Sequence, residues 1–314
     1  MDLKLNDAQI DLQKRAAATE DQRREYIPQL NAGKRRFSFA LTEPGAGSDP
    51  GSIISTAKLR ARPNGDDRWI LSGEKYLTTG AVYADDILAV VKIAKSKAAP
   101  NAGSQSAADA SPESTAMGVL VVPRASPGVE VRRLEALAGN AYSPCEIVFR
   151  DVELPRNALR GGDDVPDMLK HLANTADLDR LSVAASDVGG AARILRMCKK
   201  YAKGRTQFGK KIFDFQAVQH RLANMATGLE AMRQMSRWAA WRKSESARAF
   251  KEASMAKLFC SEQLQQIARD GMQIFSGRSF DANYDMGRLM RESHLALFAG
   301  GTSEIQRNLI ARFA

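Results

Sequence analysis

Cysteine is scarce in this sequence of 314 residues: there are three, Cys145, Cys198 and Cys260. They lie far apart, are odd in number and include no C-x-x-C pair. That excludes a disulfide framework and a cysteine zinc site. Such thiols serve as small buried hydrophobes in a reducing compartment. Histidine is equally rare. His171, His220 and His294 have no metal-ligand spacing, and no Ser-His-Asp set assembles around them. Each is expected to be a surface or packing residue. No apolar run is long enough to span a bilayer. The opening stretch, MDLKLNDAQIDLQKRAAATEDQ, lacks the continuous apolar segment of a secretory signal. The expected location is cytoplasmic, without a membrane span.

What is present is ordinary for a soluble globular protein, with 44% hydrophobic and 26% charged residues. The length suggests about two domains of roughly 150 residues. The net charge of +10 attracts polyanions. Yet the lysines and arginines are interspersed with acids, and no dense basic run appears, so nucleic-acid binding is not expected. Small phosphate-bearing ligands suit the same charge equally well.

Residues 1–33 read as a short helical lead-in, with Asp7 or Thr19 as caps and Pro28 marking its end. Residues 34–160 are rich in short β runs: 37–41, 69–71, 87–92, 117–122 and 146–149. Turn signals such as Asn64-Gly65 and Pro127-Gly128 separate them. That spacing predicts a β-sandwich or barrel. Residues 95–116, rich in Ala, Ser, Pro and Gly, read as an extended mobile hairpin loop. From 161 to 314 the period becomes helical. Leu222, Met225, Leu229 and Met232 share one face; Met255, Leu258, Phe259, Ile267 and Ile274 repeat the pattern. Methionine fills irregular gaps, so this stripe is bundle core rather than a cofactor box. The fold class is α+β and multidomain: a β-barrel or sandwich followed by an up-down helical bundle.

Six phrases carry chemistry. The first, Phe39-Ala-Leu41-Thr42-Glu-Pro-Gly-Ala-Gly47-Ser48-Asp, turns a strand into a Gly-rich loop. Its backbone can approach a ligand closely, and Thr42 and Ser48 add hydroxyl donors. The second is Gly73-Glu-Lys-Tyr-Leu77-Thr-Thr79-Gly80. The third, Phe149-Arg-Asp-Val-Glu-Leu-Pro155, has a structural character only. The fourth is Arg205-Thr-Gln-Phe208-Gly-Lys210, followed by Gln216. The planar fork of Arg205 suits a pyrophosphate. The fifth is Gln273-Ile-Phe-Ser-Gly277. The sixth is Ala299-Gly300-Gly301-Thr302-Ser-Glu304-Ile-Gln-Arg307.

In this order and spacing the phrases resemble the middle and C-terminal domains of the acyl-CoA dehydrogenase family. The family's N-terminal helical domain, roughly a hundred residues at typical domain size, is matched only by its last stretch, so residues 1–33 read as its remnant. The resemblance implies FAD as cofactor and an acyl-CoA as substrate. It further implies electron-transfer flavoprotein as acceptor and a homodimer or tetramer. Phe39, Leu41, Thr42, Gly47, Ser48, Leu77 and Thr79 would contact the flavin, and Leu77 replaces the family's usual aromatic. Arg205, Phe208, Gln216, Gln273 and Gly277 would reach a neighbouring subunit's FAD. In the fifth phrase Ser276 and Arg278 depart from the family pattern. Thr302 and Glu304 would also contact FAD. Ser48, Arg180, Gly300 and Gly301 would line the substrate.

The implied reaction removes an α-proton with a carboxylate, passes the β-hydrogen as hydride to flavin N5 and gives a 2-enoyl-CoA. Many members take the base from a Glu that is Gly300 here. Isovaleryl- and long-chain-type members place it instead in a phrase similar to Asp177-Leu-Asp179-Arg180, where Asp179 holds the Glu position with one methylene fewer. The competing reading of Asp179 is a carboxylate near a helix start, stabilised by the helix dipole or by Arg180. Two functional alternatives stay open: a catalytically impaired flavin-binding subunit, and a different reaction on the same scaffold.

Overall fold

The computed structural model describes residues 19–63, 65–94, 116–139, 142–161, 168–245 and 249–313. The chain forms two compact units. One comprises residues 1–136 and 140–171, the other 137–139 and 172–314. Asp7 and the 95–115 stretch lie outside the described residues, as do the side chain of His171 and Asn64.

The first unit opens with α1 (Glu20–Asn31). Its start is a reciprocal capping box: Thr19 Oγ1 accepts from Gln22 N–H, and the Gln22 side chain accepts from Thr19 N–H. Gln22 then donates to the carbonyls of Asn157 and Leu159, fastening the helix beneath the sheet's last strand. α1 ends at Asn31, within the YIPQLNAGK phrase that Pro28 marks. Pro28 sits in the last turn, whose ring-free carbonyl still accepts from Ala32 N–H.

Seven strands make one curled mixed sheet: β1 (Phe37–Ala40), β2 (Thr56–Arg60), β3 (Arg68–Thr79), β4 (Asp86–Ala94), β5 (Ala116–Pro123), β6 (Val129–Arg133) and β7 (Pro144–Pro155). Strand β4 is central. It pairs in parallel with β1 along its first half and β2 along its second, and antiparallel with β5. From β2 the sheet continues through β3 and β7 to β6. The outer edge of β5 meets the chain just after β7, where Arg160 N–H donates to Val119 O and Leu120 bridges Leu159. Covering that edge protects it from stray pairing. Inside the curl, Leu71, Ile87, Val91, Leu120, Ile147 and Leu154 are buried. Two strands, β2 and β6, carry too few large apolar residues to be read from sequence, and β3 and β7 run well beyond their apolar cores.

The second unit is helical: α2 (Met168–Gly204), α3 (Gln216–Glu245), α4 (Phe250–Phe275), α5 (Met286–Phe298) and α6 (Ser303–Ala311). Between α2 and α3 lies a small hairpin, β8 (Thr206–Gln207) and β9 (Lys210–Lys211). Leu222, Met225, Leu229 and Met232 are buried as the periodicity expects, beside Ile194, Cys198, Cys260 and Ile267. The β region followed by a helical region matches the expected fold class. All three cysteines are free and buried. No helix of the described residues is long and apolar enough to cross a membrane, and no cluster of metal-ligating side chains occurs among them. Met232 is fully buried. Met232→Ala is expected to cost about 2–5 kcal/mol through lost contacts and a residual cavity, read as a lower urea midpoint in far-UV circular dichroism.

Candidate functional site

The Gly-rich phrase folds back as soon as it leaves β1. Glu43 and Ala46 exchange backbone hydrogen bonds of 3.0 and 3.1 Å. Beneath this turn lies a buried ion pair that sequence reasoning missed. Lys75 Nζ stands 2.7 Å from Glu43 Oε1, and the two side chains are 0% and 3% exposed. The ammonium also donates to Leu41 O, while Glu43 accepts from the N–H groups of Ile54 and Ser55. Burial pushes the Glu43 carboxyl up, but the Ile54 N–H, the Lys75 ammonium and the Ser55 side chain outweigh it and hold it below the usual range. Burial drives Lys75 down, with Glu43 opposing the shift.

This pair joins the first two phrases. Tyr76 N–H donates to Thr42 O (2.8 Å) and Ser38 Oγ to Thr79 O (2.6 Å). The β3–β7 register slips between Lys75 and Thr78, and Leu77 takes φ +54°. A left-handed leucine costs about 1–2 kcal/mol. The slip turns Leu77 outward, 51% exposed, in the same region as Phe39, 43% exposed. Thr79 and Ser48 are exposed nearby in sequence, Gly45 and Gly47 face open space, and Thr78 Oγ1 is buried without a partner. Exposed apolar surface beside hydroxyl and backbone donors fits a flat heteroaromatic ring with a polar edge. The donor set therefore fits a flavin.

In the second unit the Arg205 phrase forms the hairpin. Its two-residue turn, Phe208-Gly209, has φ +50° and +76°, the pattern of a tight primed turn that favours Asn-Gly. A phenylalanine there is strained, and Phe208 is 93% exposed. The ring meets Phe215 edge-on at 6.2 Å, with Lys210 Nζ 4.5 Å over the Phe215 ring. Gln216 begins α3 beside it, and Gln273 and Gly277 are exposed at the end of α4. Arg205 lines a groove of about 1000 Å³ with Arg196, Lys200 and Arg278, above a stacked Tyr201–Phe275 pair. Of the cations lining this groove, the sequence pointed to a ligand contact only for Arg205.

The sixth phrase forms a second glycine turn. Gly300 and Gly301 have φ +65° and +95°. A Cβ at Gly300 would stand 2.9 Å from Asp179 Oδ2, and one at Gly301 would stand 2.8 Å from Gln306 Nε2. Asp179 of α2 therefore faces the empty side-chain position of residue 300. Asp179 follows Met168, the first residue of α2, by eleven positions. It is no helix-start acid, and the helix-dipole reading fails. Its carboxyl reaches solvent, yet the surrounding protein pushes its pKa up, opposed by Arg180 and Lys257. Arg180 pairs with fully buried Asp177 at 3.3 Å, and its Nε is buried without a partner. Asp177 also meets Lys243 at 3.3 Å, so its role is structural.

Two further residues hold this turn, both missed in the sequence. Gln306 Nε2 donates to the Gly300 and Gly301 carbonyls, each at 3.0 Å. Lys257 Nζ, fully buried, donates to Leu297 O and Gly301 O at 3.1 and 2.7 Å. Thr302 caps α6 by accepting from Ile305 N–H. With Glu304 it lines a groove of about 440 Å³ bordered by Leu297 and Phe298.

Family models for the acyl-CoA dehydrogenase middle domain and C-terminal domain match residues 38–152 and 170–314. Among curated relatives, the probable acyl-CoA dehydrogenase YngJ of Bacillus subtilis is 35% identical over 94% of this chain and 72% of its own length. This chain belongs to the acyl-CoA dehydrogenase family. The caffeyl-CoA reductase–Etf complex subunit CarC of Acetobacterium woodii is 34% identical over 94% of this chain and 72% of its own length. The crystal structure of acyl-CoA dehydrogenase from Geobacillus kaustophilus aligns with a TM-score of 0.83 at 29% identity, covering 97% of this chain and 75% of that one.

The buried ion pair of the first unit yields a stability test. Lys75→Met strands a buried carboxylate and is expected to cost about 3–5 kcal/mol, whereas Glu43→Leu combined with Lys75→Met regains most of it. The native Glu43 pKa lies below its unfolded value, so its contribution is full above the ordinary glutamate range. It is lost as pH falls through the native value. Thermal denaturation of wild type and the double variant across the acid range reads the difference.

Proposed function

We propose that this chain oxidises an acyl-CoA thioester between its α and β carbons, with FAD as cofactor and Asp179 as the base. One observation carries the reading: the Asp179 carboxylate faces the side-chain space that Gly300 leaves open. A proton acceptor needs access to substrate and a pKa lifted toward the working pH. The solvent exposure of Asp179 and the upward push that burial gives its carboxyl support this role. Bound FAD supplies a two-electron acceptor for the β-hydrogen.

The chain's own residues bind and orient. Phe39, Leu41 and Leu77 offer apolar contact, and Thr42, Gly47, Ser48 and Thr79 offer hydrogen bonds. Arg205 pairs with phosphate oxygens through its fork. Phe208 holds an exposed, strained ring at a hairpin tip, which supports a role in gripping a ligand or a neighbouring copy. Gln216, Gln273, Gly277, Thr302 and Glu304 complete the proposed cofactor contacts. Ser48, Arg180, Gly300 and Gly301 are the proposed substrate contacts. A homodimer or tetramer follows if Phe208 and its neighbours serve a second subunit's FAD. The CarC relative is named as part of an Etf complex, which supports electron-transfer flavoprotein as electron partner.

That relative is also named a reductase, which favours a second reading, the same chemistry in reverse. Protonated Asp179 then returns the α-proton to an enoyl-CoA, and its raised pKa suits this role as well.

Anaerobic mixing of FAD-loaded protein with a panel of acyl-CoAs tests the reading through loss of the flavin's visible absorbance. Asp179→Asn is expected to slow this by about 10²–10⁴-fold with FAD content unchanged. Asp179→Ala combined with Gly300→Glu is expected to recover part of it, since residue 300 points into the vacated space. Abstraction needs ionised Asp179, so the rate falls with acidification, with its limb above the ordinary aspartate value of about 3.9. Phe208→Asn relieves left-handed strain and is expected to leave the protein as stable or more so while FAD is lost on dilution. Tighter FAD retention in that variant would contradict the proposed role of Phe208.

A further inference from the structure

Lys257 is among the largest fully buried side chains of the protein. Burying an ammonium is costly unless it is well bonded, yet both of its hydrogen bonds end on carbonyl oxygens rather than on a carboxylate. Those carbonyls belong to Leu297 and Gly301 and so bracket Gly300. The turn they bracket is left-handed at both glycines, and Gln306 grips it from the other side. On α2, Asp179, Val183 and Asp187 recur every fourth residue, so they share one helix face. The first two lie against Gly300. Asp187 is buried with Oδ2 unpartnered. Lys257 on α4 feels both acids, together with Arg180 and Glu262.

We propose that Lys257 is a positioning residue of the proton-transfer site, its buried ammonium pinning the Leu297 and Gly301 carbonyls so that Gly300 stays seated against the Asp179 carboxylate and a positive charge stands opposite that carboxylate. The inference rests on the reading of Asp179 as the base. A purely structural lysine would fix the turn without altering how Asp179 titrates. A positioning lysine does both, because its charge favours the ionised acid. Electrostatics agree in direction: Lys257 and Arg180 oppose the burial that raises Asp179. Burial brings Lys257 itself down to about 8, so its charge is lost within an accessible range. Asp187, raised by burial to about 7, titrates in the same neighbourhood. Glu304 also senses Lys257.

The test is a titration of carboxyl carbons by ¹³C NMR on the full-length, FAD-loaded protein, with Asp179→Asn assigning the resonance and Asp187→Asn removing the neighbouring acid. In wild type, Asp179 is expected to show its own midpoint and a second, smaller inflection near pH 8 as Lys257 deprotonates. Lys257→Met is expected to move the Asp179 midpoint upward, remove the second inflection and shift the acid limb of kcat by the same amount. The kcat is expected to fall by up to about 100-fold, as for a misplacement of about an ångström, with KM little changed. An Asp179 midpoint unmoved in folded Lys257→Met would overturn the proposal. If that variant does not fold, absence of the second inflection in both wild type and Asp187→Asn overturns it instead. The titration needs no turnover. An Asp179 midpoint that moves in a protein inert toward every acyl-CoA defeats the dehydrogenase reading and leaves Lys257 as a device that tunes Asp179.

Discussion

Hiding a lysine ammonium from water is among the more expensive arrangements a fold can contain, and the described residues include two such lysines, one in each unit. Lys75 lies under the Thr42–Ser48 turn and Lys257 under the Gly300–Gly301 turn. Each must find oxygens at fixed places or the charge is stranded. That demand gives two glycine-rich segments, which have little stiffness of their own, a defined shape. In the first unit the ammonium meets the Glu43 carboxylate and the Leu41 carbonyl, and the loop is wrapped about the pair. In the second it meets carbonyls alone, and the Asp179 carboxylate on α2 lies against the glycine turn that these carbonyls belong to.

Functional surface then follows from what the anchors force outward. With Lys75 committed inward, the β3 register slips and Leu77 turns out. With Gly301 held by Lys257 and Gln306, Gly300 presents no side chain, and Asp179 occupies the space beside it. Of the five non-glycine residues with left-handed φ among the described residues, Leu77, Phe208 and Ser276 belong to phrases proposed to hold FAD, whereas Ser143 and Asp151 do not.

The sequence made the two-part architecture legible because the apolar period changes from short β runs to a helical stripe between the two regions. Leu222, Met225, Leu229 and Met232 fell on the buried face as their spacing demands. Strands β2 and β6 escaped notice because TAKLR and VEVRR are mostly polar and are ordered by their neighbours rather than by their own burial. Pro28 lies one turn before the end of α1, where a proline sacrifices little beyond its own donor. Ordered motifs identified Asp179, but not what surrounds it. Glu43, Lys75, Lys257 and Gln306 are charged or polar residues in positions that look like solvated faces. Their burial arises from packing between distant segments, and nothing in local spacing reveals it. The I-Q-R of the sixth phrase was the one available signal, since a polar side chain in the first turn of α6 sits within reach of the preceding glycines.

As the proposed base, Asp179 exchanges a proton with the α-carbon of an acyl-CoA. Incubating FAD-loaded protein with an acyl-CoA in D₂O, and following deuterium at the α-position by mass spectrometry, examines that step without requiring an electron acceptor. Wild type is expected to deuterate the α-position, and Asp179→Asn is expected to lose this exchange. Undiminished exchange in Asp179→Asn would contradict the role of Asp179 as the base.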